Sequence, residues 1–314
     1  MRAPAGSEWR TVELYRLLRP HADVQVWSAR APHARLAALV PVQRIEPWRL
    51  RYPRDGTLVF IGAYHRVGRW VHLSRARRRI VLYNTYHPTL LERRIRRIGS
   101  FGRYPVEFAF ASRWLQEASG RAGPVQISIV DLRRFTPREG PRPERPFTVG
   151  RLSRDLPEKH HPGDPALYGQ LVREGVRVRI LGGTSLRALG PVDERVELLP
   201  EGAEDAVAFL RSLDCFVYRT GDAWPEAHGR VVQEAMACGL PVVCGHAGGM
   251  REYIEQGRTG FVFRDDAEAL ASVRQLRGDG ELTARMGAAA RQAAERIFSP
   301  EAIRGVIEFY LRGG

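Results

Sequence analysis

Cysteine is scarce in this sequence, with only Cys215, Cys238 and Cys244 among 314 residues. An odd set without a Cys-x-x-Cys spacing favours neither a disulfide framework nor a zinc site. We expect all three to be buried as small hydrophobic side chains. No run of eighteen apolar residues occurs, and the N-terminus MRAPAGSEWR lacks the basic-then-apolar layout of a signal peptide. These absences favour a cytoplasmic protein.

Lysine is almost absent, because Lys159 is the only one and arginine carries every other basic position. Residues 1–140 contain 26 arginines and 10 acidic residues, whereas residues 141–314 contain 23 basic and 25 acidic residues. The whole net charge of +14 therefore originates in the first half. Such a field attracts phosphates, acidic glycans or an anionic membrane surface. Nucleic acid is the weaker interpretation, since no recognition motif or aromatic-basic interleaving is visible.

Short apolar runs alternate with longer amphipathic stretches, which predicts βα units and a mostly parallel sheet. The first half gives strands near 24–28, 57–62, 80–84, 106–111 and 125–130. The helices predicted between them cover 7–19, 66–78, 88–98 and 112–120.

A Pro- and Arg-rich stretch at 136–146 indicates a linker, after which a second series begins. It predicts strands at 147–150, 176–181, 196–198, 215–218 and 241–245, with helices at 164–174, 204–212 and 229–238. The tail from 266 to 312 is predicted to be helical, with Ser299 capping and Pro300 opening the last helix.

The fold class that follows is α/β, with two Rossmann-like domains facing across a cleft. The first domain covers 1–140 and the second 141–298, and a C-terminal helix at 299–314 is expected to cross back to the first domain. Ligands in such sheets bind at the carboxyl ends of strands, so functional residues are expected in the loops that follow strands.

The segment EAHGRVVQEAMACGLPVV at 226–243 carries the most chemistry. Glu226 precedes a predicted helix that Gly229 opens, and Glu234 lies eight residues further on. The helix start offers backbone N–H groups and a positive dipole to a diphosphate, and each carboxylate can accept two hydrogen bonds from a vicinal diol. Two glutamates at this spacing are weak by themselves, because a solvated Glu226 and a helix-face Glu234 are the simpler interpretation.

Further residues carry a family resemblance. Together with Gly239-Leu-Pro-Val-Val, Gly248-Gly249-x-x-Glu252 and Gly257-x-x-Gly260-Phe-Val, the glutamate segment resembles the signature of the family 4 retaining glycosyltransferases of the GT-B fold, also called glycosyl transferases group 1. The likeness spans about residues 214–310. It implies that Glu226 is a catalytic-site residue at the sugar and that Glu234 binds the ribose of a nucleotide sugar. The donor-binding residues that it implies further are His228, Gly229, Arg230 and Gly183.

GRLSRDLPEK at 150–159 is similar to the family's strand-end Gly-Arg-Leu followed by Lys, which implies that Arg151 and Lys159 bind the donor diphosphate. Fixed positive charge there would stabilise the leaving group as its negative charge grows. The spacing is longer than the family's, and His160 replaces a glycine, so a surface lysine in a loop is the alternative for Lys159. His160 and His161 lack a third ligand at a sensible spacing, so we expect a surface loop rather than a metal site.

In the first half, GSEW at 6–9 resembles the family's Gly-Gly-x-Glu loop, which implies donor-phosphate contact for Ser7; a plain helix N-cap is the alternative. YNTYHP at 83–88 is similar to a strand ending in Thr-x-His, which implies that His87 reaches the transferred sugar as a catalytic residue. The family normally has an apolar strand before the first loop, and only MRAPA precedes Gly6. Either the start codon is assigned too late or the N-terminal domain lacks its first strand.

LLERRIRRIG at 90–99 predicts a basic amphipathic helix. Leu91, Ile95 and Ile98 form its apolar stripe, and its basic residues are Arg93, Arg94, Arg96 and Arg97. We expect these arginines to face an acceptor or an anionic membrane, the alternative being a solvated helix face. Peripheral contact with the inner membrane face would follow.

The function that the family resemblance implies is that of a retaining glycosyltransferase, which would move a sugar from a nucleotide-diphosphate donor to a glycan, lipid-linked or other hydroxyl acceptor. The nucleotide sugar is a co-substrate, and no further cofactor is expected. No metal is expected either, since the sequence has no Asp-x-Asp pair. The alternative is a non-catalytic sugar-nucleotide-binding protein of a glycan-assembly complex. Nucleic acid is not expected as a partner.

Overall fold

The computed structural model describes residues 6–64, 67–126, 128–140, 144–221 and 224–312, apart from the side chain of Arg35. The chain forms two compact units, unit 1 over Met1–Ile129 with Pro300–Gly314 and unit 2 over Val130–Ser299. Among the described residues, no helix is long and apolar enough to cross a membrane.

The helices and strands alternate along most of the chain. The helices are α1 (Gly6–Leu18), α2 (Ala34–Ala37), α3 (Pro88–Ile98), α4 (Arg113–Ser119), α5 (Asp164–Arg173), α6 (Ala206–Arg211), α7 (Arg230–Ala237), α8 (Asp266–Gly278), α9 (Gly280–Ile297) and α10 (Pro300–Leu311). The strands are β1 (Val26–Ser28), β2 (Val42–Arg44), β3 (Thr57–Ile61), β4 (Arg78–Tyr83), β5 (Glu107–Phe110), β6 (Thr148–Leu152), β7 (Arg177–Leu181), β8 (Glu197–Leu199), β9 (Cys215–Tyr218), β10 (Val242–Gly245) and β11 (Gly260–Phe263).

Unit 1 contains two small parallel sheets, β1-β2 and β3-β4-β5. The central strand β4 is apolar and fully buried from Ile80 to Leu82, as expected of a parallel strand covered on both faces. Side chains of α1 and α10 pack on this sheet, among them Leu14 and Phe309. The last helix is therefore part of the core of unit 1.

Unit 2 is a six-stranded parallel sheet in the order β11-β10-β9-β6-β7-β8. Its interior holds apolar side chains from the strands and from α5, α8 and α9. Strand β6 lies between β9 and β7, and a Cβ on Gly150 would meet the carbonyl oxygen of Arg179 at 2.5 Å. The described part of 136–146 also binds this unit, because Arg145 pairs with Asp214 at 2.7 Å and Arg211 donates to the carbonyl of Thr136 at 3.0 Å.

Most predicted elements are confirmed, but two are wrong. Only a 3-10 turn at 69–72 forms within the predicted helix 66–78, whose first residue lies outside the described ones. Trp70 and Val71, both in this turn, are buried. The predicted strand 125–130 gives one bridge, Val125 to Phe110, and residue 127 lies outside the described ones.

Two short strands, β2 and β11, were not predicted. Gly260 opens β11, and a Cβ there would meet the carbonyl oxygen of Val242 at 2.0 Å. A glycine that permits close backbone approach in a sheet interrupts the apolar pattern on which strand prediction depends.

Candidate functional site

The carboxyl ends of β6 and β9 lie side by side in unit 2, and the residues that follow them form one polar cluster. Arg151 lies in β6 and Tyr218 ends β9. Lys159 belongs to a 3-10 turn at 157–159, and Glu226 lies in the loop before α7. The edge of the sheet thus brings together residues as much as 75 positions apart in the sequence.

Glu226 is the centre of this cluster. Its Oε2 atom lies 2.8 Å from Lys159 Nζ and accepts a hydrogen bond from the Tyr218 hydroxyl at 3.0 Å. The side chains of Glu226 and Lys159 are 16% and 13% exposed, so the ion pair is largely shielded from water. Lys159 is therefore not a surface lysine in a solvated loop, which was the alternative to its predicted role.

The charge of Glu226 depends on this partner. Burial alone would raise the pKa of the carboxyl group, but Lys159, together with the Tyr218 hydroxyl, lowers it to about 2. The carboxylate is consequently ionised across the physiological range and can accept hydrogen bonds from two hydroxyl groups of a ligand.

Arg151 is fully buried beneath this cluster and does not reach solvent. Its Nη1 atom donates to Asp164 Oδ2 at 3.2 Å and to the carbonyl of Arg219 at 2.9 Å, and its Nη2 atom donates to the carbonyl of Lys159. Its guanidinium carbon lies 4.5 Å from the centre of the Tyr218 ring. Arg151 therefore holds the backbone of Lys159 and the ring that contacts Glu226, instead of presenting an open fork.

Glycines shape the loop around Glu226. Gly229 is the N-cap of α7 with φ at 69°, and a Cβ there would meet Met250 Cβ at 2.5 Å. At Gly248, where φ is 88°, a Cβ would meet the carbonyl oxygen of Glu226 at 2.3 Å. That same carbonyl accepts from the amide of Gly249 at 2.9 Å. The Gly-Gly pair thus clamps the backbone of Glu226 in a way that only residues without a side chain permit.

Glu234 lies in α7, one turn beyond Arg230, whose Nε donates to its Oε1 at 2.9 Å. Burial raises the pKa of this carboxyl group, and Arg230 opposes the rise. His228 is buried in the same loop, and its Nδ1 lies 2.9 Å from the Tyr253 hydroxyl. The helix start, Glu226 and Glu234 therefore belong to one short segment, as the sequence predicts.

Gly183 and His160 lie on adjoining segments of unit 2. Gly183 follows β7, where its amide donates to the carbonyl of Leu199 at 3.0 Å. His160 is 2% exposed and its Nε2 lies 3.1 Å from the carbonyl of Gly182, so the expectation of a surface loop is wrong at this position. Burial, followed by the charge of Arg151, lowers the pKa of His160 to about 4 and keeps the ring neutral. Within the described residues, no three His, Cys, Asp or Glu side chains form a group able to hold a metal ion.

In unit 1, Ser7 and His87 lie near the carboxyl ends of β3 and β4. Ser7 is inside the first turn of α1, and its Oγ accepts from Asn84 Nδ2 at 3.1 Å. Gly62, with φ at 74°, leaves room for it, since a Cβ there would lie 3.0 Å from Ser7 Oγ. His87 caps α3, where its Nδ1 accepts from the amide of Leu90 at 3.4 Å, and its ring meets that of Tyr64 edge-on at 5.5 Å.

The basic helix α3 differs from its prediction. Leu91 and Ile98 are buried in unit 1, so the apolar stripe is not available to a membrane. Arg94 is 6% exposed, and burial lowers its pKa to about 10, which removes it from the predicted basic face. Arg93 and Arg96 are exposed, and Arg97 is half-buried. The stripe is buried because an amphipathic helix packs its apolar side against the rest of its unit.

Sequence reasoning missed Tyr218, Asp164 and His160. Tyr218 follows the rule that functional residues end strands, but an aromatic residue in an apolar run resembles a core residue. Asp164 looks like an ordinary first-turn acid of α5, and only its pairing with Arg151 and Arg219 reveals its role.

Solved structures place the fold in a known class. The chain is similar over 98% of its length to Anabaena HepE solved in complex with UDP, with 18% identity, a TM-score of 0.73 and 95% of that chain covered. It is also similar to TarM, with 15% identity and a TM-score of 0.60 over 75% of this chain and 50% of that one. The predicted fold of two Rossmann-like α/β domains, the GT-B fold of glycosyltransferases, is confirmed.

Sequence comparisons narrow this class to a family. The model of Glycosyl transferases group 1 matches residues 137–293, which is half of the chain, so the chain belongs to this family. It is 28% identical over 229 residues to D-inositol 3-phosphate glycosyltransferase of Salinispora arenicola, covering 60% of this chain and 50% of that protein. A second relative, trehalose synthase of Pyrococcus horikoshii, is 29% identical over 178 residues, covering 56% of this chain and 41% of that protein. The chain thus spans about half the length, or less, of these curated relatives.

Proposed function

We propose that this chain transfers a sugar, with retention of configuration, from a nucleoside-diphosphate donor to a hydroxyl acceptor. The single observation that carries the proposal is the shielded pair of Glu226 and Lys159 at the carboxyl end of a parallel sheet, directly before the start of α7. Family membership and the UDP named with the solved HepE structure support a sugar-nucleotide donor.

Two opposite charges 2.8 Å apart suit a ligand with an anionic part and a polyol part. The diphosphate would bind the ammonium group of Lys159, and the sugar hydroxyls would donate hydrogen bonds to the oxygens of Glu226. Each partner then exchanges an internal contact for a ligand contact of the same kind, so neither is left buried without a partner.

Charge develops on the diphosphate as its bond to the sugar carbon breaks. Lys159, held in place through its carbonyl by Arg151, would stabilise that charge, and the start of α7 would add its dipole. The acceptor oxygen would bond to the same carbon from the leaving-group side, and its proton would pass to the departing diphosphate. Glu234 would bind the ribose. Following the family resemblance, Ser7 would contact the donor phosphate and His87 the transferred sugar.

The first experiment measures nucleotide binding by thermal shift with UDP, GDP and ADP. A ligand that binds only the native state stabilises it by about 3 kcal/mol at a hundredfold excess over its Kd. Lys159→Met should weaken binding of the preferred nucleotide about tenfold or more, because a charge-assisted contact is lost. Glu226→Gln should bind it at least as well as the unmodified chain, because Lys159 is released from its ion pair.

The second experiment measures release of nucleoside diphosphate from the matching sugar nucleotide with a panel of hydroxyl acceptors. Glu226→Gln should lose turnover while retaining nucleotide binding, and Glu281→Gln, a change at an exposed glutamate of the same unit, should leave both unchanged. Activity should persist in EDTA, since we propose a metal-independent reaction. Wild-type turnover in both Lys159→Met and Glu226→Gln would refute the proposed site. The absence of a thermal shift with every nucleotide would refute the proposed class of donor.

A further inference from the structure

The four most exposed large apolar side chains of the described residues are Trp48, Leu50, Leu73 and Phe101, with exposed fractions of 77%, 62%, 60% and 75%. All four belong to unit 1, within residues 44–103. This segment also holds fifteen arginines against three acidic residues. Single exposed apolar residues are ordinary, whereas four in one strongly basic segment call for a common explanation.

Hydrogen bonds and a ring contact connect the segments that carry these side chains. The Arg54 guanidinium donates to the carbonyl of Leu50 at 3.0 Å, and the Ser74 hydroxyl donates to the carbonyl of Arg54 at 3.2 Å. Leu73 directly precedes Ser74. On its other side, the His72 ring stacks on that of Phe101 at 5.6 Å. We call these four apolar residues, together with the exposed Arg49, Arg51, Arg93 and Arg96, the apolar-basic patch.

Arginines of the patch lie beside Leu50 and beside Phe101. Arg49 and Arg51 flank Leu50 in the sequence, and their side chains are 66% and 57% exposed. Both pair with one acidic residue, Glu46, at 3.8 Å from Arg49 and 3.7 Å from Arg51. Beside Phe101, a depression of about 440 Å³ is lined by Thr89, Glu92, Arg93, Arg96 and Arg97. Arginines therefore outnumber acidic side chains beside both Leu50 and Phe101.

Backbone conformation sets the patch apart from the rest of the molecule. Among the described residues, left-handed φ angles outside glycine occur at Leu50, Ser100 and Phe101, with values of 53°, 50° and 59°. Bulky residues adopt this region at a cost, and such conformations concentrate at functional sites. Two of the exposed apolar side chains are thus held outward by turns that glycine would form more easily.

We propose that the apolar-basic patch docks on the surface of a bilayer containing anionic lipid. Its four apolar side chains would enter the interface between headgroups and acyl chains, where burial of aromatic and aliphatic side chains is favourable. The arginines would meet the lipid phosphates, each contributing to the attraction. The proposal is independent of sugar transfer, and it replaces the buried stripe of α3 as the membrane-facing element.

The charge of the patch disfavours the other occupants. A second copy would bring the same arginines face to face, so self-association through this surface is opposed by repulsion. Single-stranded nucleic acid would be held by stacking on aromatic rings, but Leu50 and Leu73 offer no such face. An anionic bilayer satisfies both the charge and the aliphatic side chains.

The test is co-sedimentation of the full chain with vesicles of phosphatidylcholine alone and of phosphatidylcholine mixed with phosphatidylglycerol. Binding to the mixed vesicles alone is expected. The pair Arg49→Gln and Arg51→Gln should weaken it about fivefold for each arginine. The matched pair Arg264→Gln and Arg285→Gln, at unit 2 positions with 81% and 64% exposed side chains, should leave it unchanged.

A second variant separates docking from folding. Phe101→Gly should raise the Tm, because glycine adopts the left-handed turn without strain, and yet it should reduce vesicle binding. A merely structural Phe101 would not show these opposite changes. The proposal would be overturned if the chain did not bind anionic vesicles or bound neutral ones equally well. It would also be overturned if the Arg49 and Arg51 variants bound as well as the control pair, or if the chain bound single-stranded RNA in place of vesicles.

Discussion

The ion pair of Lys159 and Glu226 can be tested by its contribution to the stability of unit 2. Lys159→Met leaves the Glu226 carboxylate largely buried, with the Tyr218 hydroxyl as its remaining hydrogen-bond donor among the described residues. Glu226→Gln removes the charge from the other side, and the double variant removes both. The double variant should be more stable than Lys159→Met, because an uncompensated buried charge costs more than the absence of the pair.

The magnitude follows from the pKa of Glu226, which the folded protein lowers from 4.5 to about 2. A shift of this size corresponds to about 3 kcal/mol of unfolding free energy at pH 7. Because the folded-state pKa is the lower one, this stability is fully present above pH 4.5 and is lost as the pH falls towards about 2. In Lys159→Met the loss in this acid window should disappear. We expect a coupling energy of about 2 to 3 kcal/mol between the two side chains.

The assay is urea unfolding of the single and double variants, followed by hydrogen exchange of the amides of β9 and α7, which reports on unit 2 alone. The control is the exposed pair Arg285 and Glu281, which lies 3.2 Å apart with side chains 64% and 88% exposed. Its coupling energy should stay below about 0.5 kcal/mol. A coupling at Lys159 and Glu226 no larger than that of the control would refute the reasoning.

Two further predictions concern residues around the cluster. In thermal unfolding, Gly248→Ala should destabilise unit 2 by about 1 to 3 kcal/mol more than Gly257→Ala. Both glycines have positive φ, but only at Gly248 would a Cβ meet the Glu226 carbonyl oxygen, at 2.3 Å. Equal losses of stability would show that the clash is relieved. Burial raises the pKa of Cys238 and Cys244 to about 12 and that of Cys215 also, so a thiol reagent at pH 8 should label none of the three until the chain unfolds; labelling of the native protein would contradict their burial.

The regular part of the fold was predictable from local pattern. Strands β4 and β9 and helix α3 follow from apolar runs and helical spacing, and Gly229 was placed correctly as the start of α7. The helix predicted at 66–78 failed, and within it only the turn at 69–72 forms, where Trp70 and Val71 are buried. Periodicity is a local signal, and tertiary packing overrides it where a segment contacts its surroundings in another conformation.

The predicted site residues divide in the same way. The family resemblance singled out Glu226 and Lys159 in the sequence, yet their contact joins positions 67 residues apart. Arg151 has the expected type, but it is buried in a pair with Asp164, and Arg94 is buried although its three arginine neighbours on α3 are exposed or half-buried. Whether an arginine meets solvent or a buried acid depends on what packs over it.

The order of amino acids alone determined the parallel α/β class, the uneven charge and the family signature, because each is written in local spacing or composition. The tertiary structure decided which charges are paired, Lys159 with Glu226 and Arg151 with Asp164, and which large apolar side chains stay exposed, among them Trp48 and Phe101. The physical reason is that electrostatic and burial energies depend on distances in space and on access to water, and a linear sequence states neither.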